Sequence, residues 1–413
     1  MEERLRLALL TLLLLSPLPF GCVEDWSRWL LVTLLALAFC GVLWYRIPIL
    51  LSPREKKAAI LGCIYAGWLL VQLVPLPPSL LARLSPSAHH LYQIGVPGYG
   101  TSDPKGYAYP DPEQISAGRD LRDVTWVVPG LSAWRSLSLY PYGTYRVFWQ
   151  TAALIGFTII GLSLFRDRED RRRLAGVLVA VGVFQAAYGA IEALSGHQHI
   201  FAYEKRYYTD VATGTLVNRN HFAAMLNMVL PLALALLLVR VRALSAQGVR
   251  ASRTRLARWS LLAGEPWFLA CAVTIGLGVV LSRSRMGVLA MLAGVAGFGV
   301  LAARWGAADA AAAARLRQRS HTRWAIVVPL ILIAIIAAVA LGMDAAPTLD
   351  RFVRISEDLK QGATRPALWK EGLGTAVEYL WTGAGAGAYV HALNPHLETL
   401  FSSDFWIFNH AHN

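Results

Sequence analysis

The apolar residues of this chain are gathered into nine blocks, roughly 5–22, 29–45, 58–76, 147–165, 174–194, 221–239, 265–281, 286–303 and 324–343. Each approximates the 17–25 residues a helix needs to cross a hydrocarbon core. Lipid offers backbone N–H and C=O groups no hydrogen-bond partner, so each block must satisfy its own backbone by being helical. Only 16% of the residues are charged, against roughly a quarter in soluble domains. The expected fold is all-α, a polytopic integral membrane helical bundle of about nine transmembrane helices, with extracytoplasmic loops at 77–146 and 344–413.

A net charge of +13 invites a nucleic-acid reading, and the distribution of that charge excludes one. The inter-block segments 46–57, 166–173, 240–258 and 304–323 hold 20 Arg and Lys in 59 residues, whereas the alternating segments 23–28, 77–146 and 195–220 hold 10 in 102. That asymmetry is the positive-inside rule. It puts the N-terminus in the cytoplasm, and 77–146, 195–220, the turn 282–285 and the tail 344–413 outside. The partners it implies are membrane lipids, anionic ones included, and no nucleic acid.

Four stretches follow: the first three helices in 1–76, a long outer loop in 77–146, helices four to nine in 147–343, and an outer loop in 344–413. The 77–146 loop is dense in Pro, Gly, Tyr and Trp, which favours turns and amphipathic surface segments. Its Tyr107, Tyr109, Trp126 and Trp134 suit either sugar stacking or the membrane interface. The run Arg166–Arg173 reads as a solvated charge run, and Ala310–Ala314 after Asp309 as a short cytoplasmic helix. Cys22, Cys40, Cys63 and Cys271 lie in or beside the blocks without metal-ligand spacing or a disulfide pattern, as small buried apolar residues do. Leu18-Pro19-Phe20-Gly21-Cys22 is a poor lipoprotein site, and the acidic start Glu2-Glu3 is wrong for a signal peptide.

Four polar features fall on the outer side. Asn218-Arg219-Asn220-His221 precedes the sixth block, where Asn caps a helix start and the N-terminus suits an anion. Arg283 and Arg285 lie in a very short turn against the positive-inside trend, and guanidinium groups there fit bidentate phosphate capture. Arg365 and Trp369 lead toward Gly383-Ala384-Gly385-Ala386-Gly387, a tight, kinked passage rather than a dinucleotide fingerprint, since no strand precedes it. His410 and His412 end the chain. Even with His391 and His396 nearby they form no clear metal-ligand pattern. General-base duty suits them better, because nearby positive charge keeps an imidazole neutral.

In order, spacing and common side these features resemble the O-antigen ligase and polymerase family of bacterial membrane glycosyltransferases. The matching residues are Gly214–Ala223, Ser284-Arg285-Met286-Gly287, Arg365 with Trp369, Gly383–Gly387 and His412-Asn413, with Pro75-Leu76-Pro77-Pro78 opening the long loop. The resemblance covers roughly 70–413 and makes 147–343 the family's core. It implies transfer of a saccharide from an undecaprenyl-diphosphate carrier to a hydroxyl of lipid A-core, a growing glycan or a protein. The reaction it implies uses no metal or cofactor and takes place on the periplasmic face of the bacterial inner membrane. By motif the family's two arginines and histidine fall on Arg285, Arg365 and His412, with His410 a second candidate base. Arg283, Arg219, Asn218, Asn220, His221 and Trp369 are candidate substrate contacts. Family members continue past the His-Asn pair, so the resemblance implies a chain that is part of a longer product, or a truncated, inactive one.

The sequence leaves two rival classes. A transporter or flippase of lipid-linked saccharide would carry ionisable residues near the midplane, whereas here only Glu192 and Glu265 approach the blocks, close to their ends. A non-catalytic assembly protein would bind the same lipid-linked sugar and survive loss of His412.

Overall fold

The computed structural model describes residues 1–96, 99, 134–196, 198–251, 266–312, 330, 333, 334, 336, 338 and 364–393. It is mostly helical, as expected. Among the described residues six helices are long and apolar enough to cross a membrane. They are α2 (Asp25–Trp44), α3 (Pro53–Leu73), α6 (Pro141–Leu164), α7 (Arg168–Ser195), α8 (Arg219–Ala251, apolar to Val241) and α10 (Arg285–Ala312, apolar to Arg304). The expected block at 265–281 is helix α9 (Pro266–Leu281), 16 residues long and shorter than a full span. The block at 324–343 lies mostly outside the described residues.

The first block does not form one span. Helix α1 (Glu2–Leu15) has 14 residues, about 21 Å at 1.5 Å per residue, against a core of about 30 Å. Pro17 and Pro19 follow it, and Phe20, Gly21 and Cys22 all take left-handed φ of 54°, 63° and 57°, so the chain turns where the apolar pattern alone continues. The alanine run also differs from expectation: Asp309–Ala312 continues α10 instead of starting a separate helix. Of the cysteines, only Cys271 is buried; Cys40 and Cys63 are exposed and Cys22 lies between. Exposed apolar side chains on a spanning helix face lipid, so hydropathy alone did not distinguish protein-facing from lipid-facing positions.

The chain divides into two compact units. The first comprises Met1–Ile49 and Ile160–Glu357. Its core is built by α7, α8 and α9, where Val179, Ala186, Phe222, Leu226, Leu230 and Ile275 are buried together. Half of the apolar window of α8 is buried, the largest share of any span, against 11% for α3 and α6, so α8 is the central helix of this unit. Small residues permit the contact: a Cβ on Gly182 would lie 2.8 Å from Val229 Cγ1, and one on Gly278 2.8 Å from both Ala186 Cβ and Leu226 Cδ1. Small residues at helix interfaces let backbones approach where no hydrophobic force operates.

At the start of α7 the charge run is only partly solvated. Asp170 is buried and pairs with Arg6 Nε at 3.4 Å and with Arg173 at 3.9 Å; Arg6 Nε also donates to Leu164 O at 2.9 Å. The run therefore ties α1 to the basic end of the unit.

The second unit comprises Leu50–Ile159 and Asp358–Asn413. Ser52 and Glu55 form a capping box that starts α3, with Pro53 at the first helical position, as such sequences should. Beyond α3, Pro75–Leu76 pairs antiparallel with Arg135–Ser136, and two short helices, α4 (Pro78–Leu84) and α5 (Pro86–Gly95), fold over it. Leu81, Ala88, Tyr92, Leu137 and Tyr379 make a small core there. Tyr92 Oη donates to Ser138 O at 2.7 Å, with burial pushing its hydroxyl pKa upward. In the 77–146 loop, Trp134 is exposed, while Tyr107, Tyr109 and Trp126 lie outside the described residues.

Candidate functional site

The polar features expected around 218–221 and 283–287 meet at one end of the first unit, where two helices begin side by side. Asn218 caps α8: its Oδ1 accepts from Asn220 N at 2.8 Å and its carbonyl from Phe222 N at 3.0 Å. Ser284 caps α10 in the same way, its Oγ accepting from Gly287 N at 3.2 Å. The caps are joined, since Ser284 Oγ donates to Asn220 Oδ1 at 2.8 Å. One turn further in, Asn227 Nδ2 donates to Gly287 O at 2.8 Å. Gly287 is required by the approach itself, because a Cβ there would lie 2.7 Å from Ala223 Cβ. Each helix start carries roughly half a positive charge, so the pair forms an electropositive seat.

The cationic side chains around this seat are not equivalent. Arg283 takes a left-handed φ of 50° in the turn and pairs with Asp210 at 2.8 Å, so its charge is already met. Arg219 lies with its guanidinium 5.3 Å from the Tyr208 ring centroid, a cation–π distance. Arg285 is the first residue of α10, part-exposed, and His221 in the first turn of α8 is exposed. The structure thus brings Asn218, Arg219, Asn220, His221, Arg283 and Arg285 to one place.

What holds the approach to α8 is a buried polar set that motif reading did not assign. Residues 211–216 are buried and fold back against α7, where Gln185 holds Thr215 by both its hydroxyl and its backbone N–H. Its Nε2 donates to Thr215 Oγ1 at 2.7 Å, and its Oε1 accepts from Thr215 N at 2.9 Å. Gly214 (φ +59°) leaves no room for a Cβ, which would sit 2.4 Å from Gln185 Oε1. Glu192 pairs with Lys205 at 2.7 Å, both side chains almost fully buried, and accepts weakly from Thr213 N at 3.4 Å. Lys205 Nζ also donates to Val211 O at 3.1 Å. Thr215 Oγ1 lies 2.6 Å from Pro17 O, which ties the loop to the turn after α1. Irregular backbone beside apolar helices persists only where protein groups satisfy it, and these side chains do so. Glu192 drew notice in the sequence only as an ionisable residue near a block end; Gln185 and Lys205 carried no motif.

In the second unit, Arg365 is the second residue of α11 (Thr364–Glu378), and Trp369 on that helix is exposed. The Gly383–Gly387 run is the tight passage expected of it, with left-handed φ of 67°, 98° and 79° at the three glycines. It packs on the chain entering α6: Leu139 N donates to Ala384 O at 2.9 Å, and Thr144 Oγ1 to Ala386 O at 3.0 Å. A Cβ on Gly385 would lie 2.2 Å from Ser138 Oγ. Gln72 Nε2 donates to Thr382 O at 2.7 Å from the end of α3. His391 on α12 (Tyr389–Leu393) lies 5.1 Å from the Tyr140 ring centroid. His396, His410 and His412 lie outside the described residues. Among the described residues no group of three or more His, Cys, Asp and Glu side chains is close enough together to hold a metal ion.

A family model described as O-antigen ligase matches residues 270–413, a stretch containing Arg283, Arg285, Arg365, Trp369, His410 and His412. No curated protein and no solved structure gives a significant match to the chain. With its apolar spanning helices, the chain has the character of a multi-pass membrane protein with a glycosyltransferase-like role. Residues 270–413 are thus similar to the O-antigen ligase family.

Proposed function

We propose that this chain is a membrane glycosyltransferase of the O-antigen ligase and polymerase type, with 147–343 as its helical core. It moves a saccharide from an undecaprenyl-diphosphate carrier to an acceptor hydroxyl of lipid A-core, a growing polysaccharide or a protein. The active face is periplasmic in the bacterial inner membrane, and the reaction proceeds without a metal. The observation that carries this reading is the pair of helix starts joined through Ser284 and Asn220, with Arg285 on one and Arg219 on the other. Two helix N-termini and adjacent guanidinium groups are what a departing diphosphate needs.

In the reaction the acceptor oxygen attacks the anomeric carbon as the bond from that carbon to the diphosphate oxygen breaks. The proton leaves the acceptor hydroxyl for the base, and undecaprenyl diphosphate departs with the bonding pair. The barrier falls most directly when charge growing on the diphosphate is stabilised in place. Arg285 takes that role, as the arginine of the Ser284-Arg285-Met286-Gly287 motif and the first residue of α10. Arg219, His221, Asn218 and Asn220 contact the carrier's phosphates or the first sugar. The match over 270–413 supports a role for Arg365 as a second functional arginine, for Trp369 as a sugar contact, and for His412 or His410 as the base.

The test is transfer in proteoliposomes holding an undecaprenyl-diphosphate-linked saccharide and defined acceptors. Arg285→Ala should lower kcat/KM by about 100- to 1,000-fold, the cost of one lost transition-state donor. His412→Ala should abolish transfer while leaving carrier binding intact. Near-normal transfer by Arg285→Ala overturns the reading.

A further inference from the structure

The first unit carries a second feature, at the opposite end of the same helices from the joined caps. An apolar groove of about 360 Å³ lies among α7, α8 and α9, lined by Gly176, Val179 and Val183, by Leu236, and by Phe268 and Cys271. Its volume falls in the range of small-ligand sites, and its lining offers no charged group. Trp267, at the first turn of α9, borders it and is 68% exposed.

The close approaches of the glycines set the level of each residue along the helices. Gly182 meets Val229 and Ile275, and Gly278 meets Ala186 and Leu226. Helices α7 and α8 therefore run antiparallel in a known register. Stepping equally along both from the Gly182–Val229 contact toward the basic end brings Arg172 level with Val239 and Arg240. The same step along α9 reaches residue 265, so Trp267 stands about half a turn inside that level. Arg172 also shares a stripe of α7 with Gly176, Val179 and Val183, and Arg240 stands one turn beyond Leu236 on α8. Arg172 is exposed and Arg240 half-buried. Both lie in the segments where basic residues concentrate, five arginines in 166–173 and six in 240–258.

An apolar groove at acyl-chain depth, an aromatic at its mouth and two guanidinium groups about half a turn further out follow the layout of a phospholipid. We propose that this groove holds an acyl chain of an anionic phospholipid from the leaflet on the basic side, its phosphate met by Arg172 and Arg240. The carrier substrate is not the occupant, because its diphosphate belongs at the other end of these helices. The lipid's effect is to fill the α7–α8–α9 contact at the end remote from the chemistry.

The test reads lipid retention and is independent of transfer activity. The full chain, purified in detergent, is equilibrated with mixed micelles holding equal phosphatidylglycerol and phosphatidylcholine, and retained lipid is counted by native mass spectrometry. Phosphatidylglycerol should be enriched, with about fivefold contributed by each arginine. Arg172→Gln with Arg240→Gln should bring the two lipids near parity with an unchanged thermal melt, and Gly176→Leu should lower retention of both. Enrichment unchanged in the double Gln variant, or retention unchanged in Gly176→Leu, would each overturn the proposal.

Discussion

Ser284 Oγ donates to Asn220 Oδ1 at 2.8 Å across two helix starts that are 64 residues apart in the chain. Each of the two residues sits at a helix start, Ser284 as the cap of α10 and Asn220 in the capped first turn of α8. The contact therefore sets the spacing of two macrodipoles as well as linking two side chains. Asn220→Ala removes the link and leaves Asn218 and Ser284 as separate caps. It should cost about 1 kcal/mol of stability and raise KM for the carrier more than it lowers kcat. Steady-state kinetics with a thermal melt separates the two effects.

Arg283 and Arg285 should respond differently to substitution. Arg283→Ala removes an ion pair with Asp210 that is partly exposed, so its stability cost should stay below about 1 kcal/mol, and Asp210→Ala should give a similar phenotype. Arg285→Lys should fall between wild type and Arg285→Ala in transfer rate, because an ammonium supplies charge without the bidentate fork. Equal loss at both positions would contradict separate roles for the two arginines.

Lys205→Met should be among the most damaging single changes in the first unit. It leaves the Glu192 carboxylate buried without its cation, a loss of about 3–5 kcal/mol. The double variant Lys205→Met with Glu192→Leu should recover most of that, because removing both charges also removes the desolvation penalty. Melting temperatures of the three variants in one detergent read this directly.

Two glycines of the second unit should respond with opposite signs. Gly385→Ala must hold φ at +98° and place its Cβ 2.2 Å from Ser138 Oγ, so it should destabilise by more than about 1 kcal/mol. Gly374 lies inside α11, and a Cβ there meets nothing within 4 Å. Gly374→Ala should stabilise by about 0.5–1 kcal/mol.

Alkaline pH provides a further test of the second unit. Burial, with the Glu378 carboxylate and Tyr92 nearby, pushes the Tyr379 hydroxyl from 10.0 up to about 12. The folded state thus keeps a proton that the unfolded chain gives up near pH 10. The stabilisation is fully present below pH 10 and is lost as pH rises through about 12. Tyr379→Phe should remove this part of the pH slope. Its stability near pH 7 should be equal or higher, since Tyr379 Oη has no hydrogen-bond partner among the described residues. Chemical denaturation of both proteins between pH 9 and 12 makes the comparison.

Much of the fold was legible because membrane helices must satisfy their own backbone, so block length and apolarity nearly suffice to locate them. Six of the nine expected blocks appear as helices long enough to span. The failure at 5–22 has a local cause: Pro17, Pro19 and three left-handed residues break a run whose apolarity continues through them. At the candidate site, Asn218, Arg219, Asn220, Arg283 and Arg285 were legible because helix starts and short turns announce themselves by residue type. Gln185, Glu192 and Lys205 were not, because their contacts lie 30, 21 and 6 residues away in the chain and follow no periodic rule.

By itself the sequence determined that this chain is a helical membrane protein, with its basic segments alternating between spans and its arginines and capping residues at particular helix starts. Those properties depend on local composition, and lipid enforces them residue by residue. Tertiary structure alone decided that the starts of α8 and α10 are joined, that Arg283 is held by Asp210 while Arg285 begins a helix, and that a buried Glu192–Lys205 pair anchors the loop leading from α7 into α8. Such outcomes rest on contacts between segments far apart in the chain, where desolvation makes every buried polar atom find a partner and packing selects which one.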